Sequence, residues 1–192
     1  MHTVDRLLEW HLCRHVADQY RLPWARRVVQ GGHPPAFGSR MPWADLCGLW
    51  HRAVEETGDA ALPITAAIAI APDNHGSPLT MFASAAPTIG DVVRAFIAYW
   101  PTVTDAFAWS WHPDDDGGVL IGHGPGAGPG ERALMTFIGA EAVVTGRRST
   151  RGRWRPRSLG WPWDDTAHRT PLGVAPSVSY THLRAHETVR NL

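Results

Sequence analysis

Apolar residues recur along this chain with two periods, and the change of period divides it. In APTIGDVVRAFIAYWPTV, residues 86–103, Ile89, Val92, Val93, Phe96, Ile97 and Trp100 fall at i, i+3, i+4, i+7, i+8 and i+11. That spacing lines one broad face of an α-helix. Thr88 stands before the stripe with Asp91 three residues on, a pair resembling a capping box. Pro101 is expected to end or kink the helix.

The same period predicts four helices before this one. Residues 3–20 carry Val4, Leu7, Leu8, Leu12 and Val16 at helical spacing, with Thr3 as the cap. PWARRVVQ follows and stops at Gly31 and Gly32. HPPAFGSR reads as a loop. In MPWADLCGLWHRAVEETGD, Trp43, Leu46, Leu49, Trp50 and Ala53 form one stripe, Pro42 sits at the first turn and Gly58 ends it. ALPITAAIAIAP fits a buried helix or a strand, and its spaced alanines favour helix.

Behind residue 103 the period falls to two. Phe107, Trp109 and Trp111 alternate with Ala108 and Ser110, then PDDDGG and GVLIGHG follow. Two alternating runs around an Asp-Gly turn predict a hairpin. GPGAGPG reads as a loop. ERALMTFIGAEAVVTG predicts a second long helix with Leu134, Phe137, Ile138 and Val144 inward. In TRGRWRPRSLGW, Arg151, Arg153, Arg155 and Arg157 take alternate positions with Trp154 among them, which predicts a strand with one charged face. Helices first, then hairpin, helix and strand make an α+β domain: N-terminal helices packed with a small antiparallel sheet and two long helices.

Composition narrows the function classes. Of 192 residues, 44% are hydrophobic, enough for a core, and the formal net charge of +0 gives no global field toward nucleic acid or membrane. The longest apolar run is about a dozen residues and contains Pro63, whereas a membrane span needs about 20. The charged N-terminus, MHTVDRLLEWHLCRH, is not a signal peptide. Cys13 and Cys47 form no CxxC and read as reduced, which points to the cytoplasm.

Three segments carry a family resemblance. MPWADLCGLWHRAVEETGDAAL, HGSPLTMFASAAPTIGDVVRAFIAYWPTVTDAFAWSW and GERALMTFIGAEAVVTGRRSTRGRWRPRSLGWPW, in that order, resemble the arabinose-binding type of N-terminal domain found in AraC-type bacterial transcription regulators. The resemblance runs from about residue 3 to 171. Where such domains often show a Gly-Leu-Leu-Gly-like turn, this chain has HGSPLTMF. The resemblance implies a domain, residues 1–176, that senses a small-molecule effector and forms a homodimer. DNA would be met only through a separate helix-turn-helix domain. It implies no cofactor and no catalysis. The end, SVSYTHLRAHETVRNL, resembles translated sequencing-adapter sequence, so residues 177–192 are expected to be a non-native tail and the sensing domain incomplete at its C-terminal end.

Candidate chemistry is sparse. His11, Cys13 and His15 do not share one helix face, and a zinc site needs three or four ligands; a polar helix face is the better reading. HLRAHE, with His182, His186 and Glu187, is not in HExxH order. Asp114, Asp115 and Asp116 suit a solvated turn better than a calcium loop. GHGPGAGPG matches neither phosphate-binding glycine pattern. The arginines between positions 147 and 157 suit an exposed strand face or a domain contact better than DNA. No metal site is expected. The ten tryptophans are the most suggestive feature: aromatic side chains line small-ligand pockets, although core packing explains any single one. Trp100 and Trp109 are the candidate pocket aromatics, with Arg94 and Tyr99 as candidate polar partners. Two other readings stay open: a small-molecule enzyme of α+β fold, and an interaction module that binds no ligand.

Overall fold

The computed structural model describes residues 1–70, 85–114, 117–124 and 128–156, and the backbone of three short strands beyond them. The chain begins with β1 (Thr3–Asp5), α1 (Leu7–Gln19), α2 (Pro23–Val29), β2 (Arg40–Pro42), α3 (Trp43–Thr57) and α4 (Leu62–Ile70). It continues with α5 (Ile89–Val103), β3 (Ala108–Asp114), β4 (Gly117–His123) and α6 (Pro129–Ser149). The two-residue strands β5 (Ser158–Leu159) and β6 (Ala175–Pro176) pair in parallel, and β7 (Leu183–Ala185) pairs antiparallel with β4. The architecture is α+β, as expected.

The first expectation to fail is the N-terminal helix boundary. Residues 3–5 are not helical, and Thr3 caps nothing. They form β1, antiparallel to β2 with Val4 opposite Met41. On the other side Thr104 Oγ1 donates to the Thr3 carbonyl at 2.8 Å, and the Thr3 N–H donates to Asp105 Oδ1 at 2.6 Å. Buried Val4 therefore belongs to a strand held between two distant segments. Asp5 accepts the Leu7 N–H at 2.8 Å and so starts α1.

The helices with sharp sequence signals stand where expected. Trp43, Leu46, Trp50 and Ala53 of α3 are buried, and Gly58 closes it at φ 64°. Only glycine takes that conformation without a Cβ penalty. The ambiguous apolar run is helix α4. Thr88 caps α5: its hydroxyl accepts the Asp91 N–H and donates to Asp91 Oδ2. Pro101 does not end α5, which runs on to Val103; Arg40 donates to the Thr102 and Val103 carbonyls at its end. In α6, Leu134, Phe137 and Ile138 are buried as expected, but Val143 takes the inward place and Val144 is half-buried.

The core sits where α6 packs on α3 and α4. Trp50 meets Phe137 there with ring centroids 5.0 Å apart. The two helices touch almost backbone to backbone at Gly130, where a Cβ would collide with the Cys47 carbonyl.

The arginine-rich segment is not a strand over residues 150–155. The Thr150 hydroxyl donates to the Gly146 carbonyl and accepts the Trp154 N–H, while Arg151 and Gly152 take positive φ of 52° and 78°. The chain turns back, and Trp154 is buried against Ile89, Val92 and Gly146. Burying that indole overrides the alternation of charges. His11 and His15 also depart from the polar-face reading, since both are buried. The HGSPLTMF segment, Asp115 and Asp116, residues 125–127, Arg157, His182, His186 and Glu187 lie outside the described residues.

Candidate functional site

The sequence builds an aromatic cluster between α5 and the β3–β4 hairpin. The apolar stripe of α5 delivers Phe96 and Trp100, four residues apart on one face. Just before and inside β3, Phe107 and Trp109 lie two residues apart and so point the same way. The rings of Phe96 and Trp100 lie 5.0 Å apart, Phe96 and Trp109 5.2 Å, and Phe107 and Trp109 4.9 Å. Trp100 meets both Phe107 and Trp109 edge-on at 6.0 Å.

Glycines across the hairpin make room for these rings. Gly122 pairs with Trp109, and a Cβ there would run into Phe107 and Trp109. Gly118 serves Trp111 in the same way, at φ 146°. A β-branched strand residue would suit the pleat better at Gly122 but would displace the rings, and at Gly118 the positive φ itself demands glycine.

The cluster is apolar yet not fully satisfied. The indole N–H groups of Trp100 and Trp109 are buried and have no hydrogen-bond partner among the described residues. Buried indole donors are normally paired. Two of them in one aromatic cluster give it a latent capacity to bind hydrogen-bond acceptors.

Of the four candidate residues, the structure brings Trp100 and Trp109 together. Arg94 is exposed, and its guanidinium donates to Asp91 Oδ1 at 2.8 Å on the outer face of α5. Asp91 is held below the usual carboxylate range by the Thr88 hydroxyl first and by Arg94 second. Tyr99 is half-buried, and its ring stacks on Phe37 at 5.9 Å. Neither side chain is among the rings that meet Trp109.

Sequence reasoning missed a polar group on the other face of the hairpin. Ser110 Oγ lies 3.1 Å from His112 Nε2 and 2.9 Å from His123 Nε2. Ser110 and His112 alternate with the tryptophans, so their shared face was legible. The diagonal partner His123 needed the strand register. Among the described residues no carboxylate orients either imidazole, so the group lacks the third member of a hydrolytic triad.

No group of three or more His, Cys, Asp or Glu among the described residues could hold a metal ion. No described helix is long and apolar enough to cross a membrane. Burial raises the thiols of Cys13 and Cys47 to about 12 each, and both are free.

This is an α+β domain with an aromatic cluster between α5 and the β3–β4 hairpin. Residues 35–172 match the family model described as the arabinose-binding domain of AraC transcription regulator, N-term. The chain belongs to that family. The match begins after α2, so β1, α1 and α2 precede it, although β1 and β2 pair across its boundary. No match was found among curated proteins.

Proposed function

We propose that this chain is the effector-sensing and dimerising domain of a transcription regulator, and that the Phe96–Trp100–Phe107–Trp109 cluster forms the wall of its small-molecule site. The family match over residues 35–172 carries the reading. The partnerless indoles of Trp100 and Trp109 support the place. A ligand with acceptor atoms beside an apolar body would satisfy both donors, and because the four rings are already buried it would enter by parting them. Tyr99 and Arg94 stand on the same helix but face Phe37 and Asp91, so to orient such a ligand they would have to leave those partners.

In a whole regulator of this kind, helix-turn-helix units meet the DNA. The effector acts by binding one domain arrangement better than another; a tenfold preference biases the equilibrium by about 1.4 kcal/mol. The domain itself needs no catalysis. Free, unreactive thiols at Cys13 and Cys47 support a reducing, cytoplasmic setting.

The test combines two measurements on the chain. Sedimentation velocity is expected to show a dimer at protein concentrations on the order of 100 µM. A small-molecule screen read by tryptophan emission is expected to find a saturable ligand whose affinity falls about tenfold or more in Trp109→Phe. A monomer with no quenching ligand, or a ligand indifferent to Trp109→Phe and Trp100→Phe, overturns the reading.

A further inference from the structure

Helix α5 does not hold its last turn by itself. Pro101 sits inside it, with no N–H to give the Ile97 carbonyl and a ring that crowds the turn before it. The end of the helix is held from outside instead. Arg40 Nη1 donates to the Thr102 carbonyl at 3.1 Å and to the Val103 carbonyl at 2.6 Å. Such terminal carbonyls have no partner within a helix, and a cation suits the negative end of its dipole. Just beyond, the Thr3 N–H donates to Asp105 Oδ1 at 2.6 Å, and the Thr3 carbonyl accepts from Thr104 Oγ1 at 2.8 Å and from the Asp105 N–H at 3.3 Å. One turn before Arg40's acceptors, the Phe37 ring stacks on Tyr99 at 5.9 Å.

All of these grips belong to one outer piece of the molecule. β1 pairs with β2, so Thr3 and Arg40 share a ribbon. The loop before β2 is tied to the same ribbon: the Gly38 N–H donates to Asp5 Oδ2 at 2.7 Å, and the Arg6 N–H donates to the Ser39 carbonyl at 2.8 Å. Phe37 therefore moves with them. This outer piece is wet, with Arg40 exposed and Phe37 47% exposed. What it holds is dry. Trp100, one residue before Pro101, is 2% exposed, and its ring closes on Phe107 and Trp109. Solvated contacts of the first kind open more readily than a packed core.

We propose that the β1–β2 ribbon and the Phe37 loop form a clasp that keeps the aromatic cluster shut, with the Pro101 turn as its hinge. The proposal rests on the reading of that cluster as the sensing site and adds how the site is regulated. A ligand reaches the Trp100 and Trp109 indoles only as α5 parts from the hairpin, and the end of α5 cannot part while Arg40, Phe37 and Thr3 grip it. The apparent affinity for any ligand is then lowered by the fraction of molecules that are open. The coupling is reciprocal, so a ligand in the cluster loosens the ribbon. The β1 half of that ribbon lies outside residues 35–172, which makes the N-terminal segment the regulator of the family domain behind it.

The experiment is hydrogen exchange of the tryptophan indole N–H groups, followed by NMR on the full chain without ligand, so its result depends on no effector. Trp50 is the internal control: its indole N–H is also buried and without a described partner, but it lies against Phe137 in the α3–α6 core. Phe37→Ala and Arg40→Gln are each expected to speed exchange at Trp100 and Trp109 about tenfold, while Trp50 stays within about twofold of the wild type. A second arm uses the wild type alone and needs no variant to fold: both cluster indoles are expected to be at least as protected as the Thr3 and Asp105 amides that join the ribbon to α5. The proposal is overturned if Trp100 and Trp109 keep their wild-type rates in both variants, if Trp50 accelerates by the same factor, or if the two indoles exchange in the wild type while both amides stay protected. Its failure is distinct from that of the sensor reading, which falls with the ligand screen and leaves these rates as they are.

Discussion

Trp100 and Trp109 meet edge to face, their planes at 83° and their centroids 6.0 Å apart, and neither indole N–H has a described partner. Helix α5 and strand β3 are thus locked through two rings that spend no hydrogen bond on the contact. The pair combines strong packing with unused polarity.

That combination separates two substitutions. Trp100→Ala is expected to cost about 3–5 kcal/mol, the range for emptying a large buried aromatic position. Trp109→Phe removes no hydrogen bond and keeps an aromatic ring, so its cost should stay below about 1.5 kcal/mol. Urea denaturation of the two variants checks the contrast. Equal losses would mean that Trp109 contributes more, by packing or by a hydrogen bond, than its partnerless indole N–H implies.

Gly130 should tolerate no side chain. Its missing Cβ is what lets the start of α6 approach the Cys47 carbonyl and the Cβ of His51 on α3. Gly130→Ala must push the two helices apart, at a cost of about 1–3 kcal/mol. Gly48→Ala, exposed in the middle of α3 with nothing within 4 Å, is the control and should be neutral or slightly stabilising. Thermal unfolding of the pair gives the comparison.

The cap of α5 is a second discrete target. Thr88→Ala removes the hydroxyl that accepts the Asp91 N–H and should cost about 1 kcal/mol by denaturant unfolding. Asp91 is lowered in the folded state, so its contribution is present above its unfolded pKa and is lost as pH falls through the folded value. The acid limb of the stability curve should therefore flatten in Asp91→Asn.

His15 acts on stability at higher pH. Its folded pKa lies below the ordinary 6.5 because burial disfavours the cation. The unfolded chain binds the proton first. Stability is fully present above about pH 6.5 and declines as pH falls toward the folded pKa. Unfolding midpoints measured across that window should drop in the wild type and drop less in His15→Gln.

Cys13 should resist labelling. It is buried and free, and desolvation followed by the nearby Glu9 carboxylate lifts its thiol to about 12. At pH 8 almost none is thiolate, the reactive form. A thiol reagent should modify it only after denaturant is added. Rapid labelling of the native chain would show that α1 opens readily.

Much of this domain was present in local sequence. The stripes of α3 and α5, the Thr88–Asp91 cap, the Gly58 stop and the β3–β4 alternation were legible because helix periodicity, capping and turn chemistry depend on residues within a few positions of each other. Trp100 and Trp109 were legible as apolar positions on the inner faces of neighbouring elements. Distance along the chain hid the rest. Thr3–Asp5 reads as helix until Arg40–Pro42 and Thr104 offer its backbone partners. The arginine alternation reads as strand until Trp154 finds Ile89, Val92 and Gly146 to cover it. Arg94 and Tyr99 are neighbours of the stripe in sequence, yet helix geometry sends one to Asp91 outside and the other to Phe37. His11 and His15 look like a solvated face until the end of α4 closes over them. Sequence by itself determined which segments would be helices and which faces were apolar, because those properties are local. Only the tertiary structure decided which distant backbone, ring or wall each one met, because such partners lie tens of residues away and are selected by what they bury together.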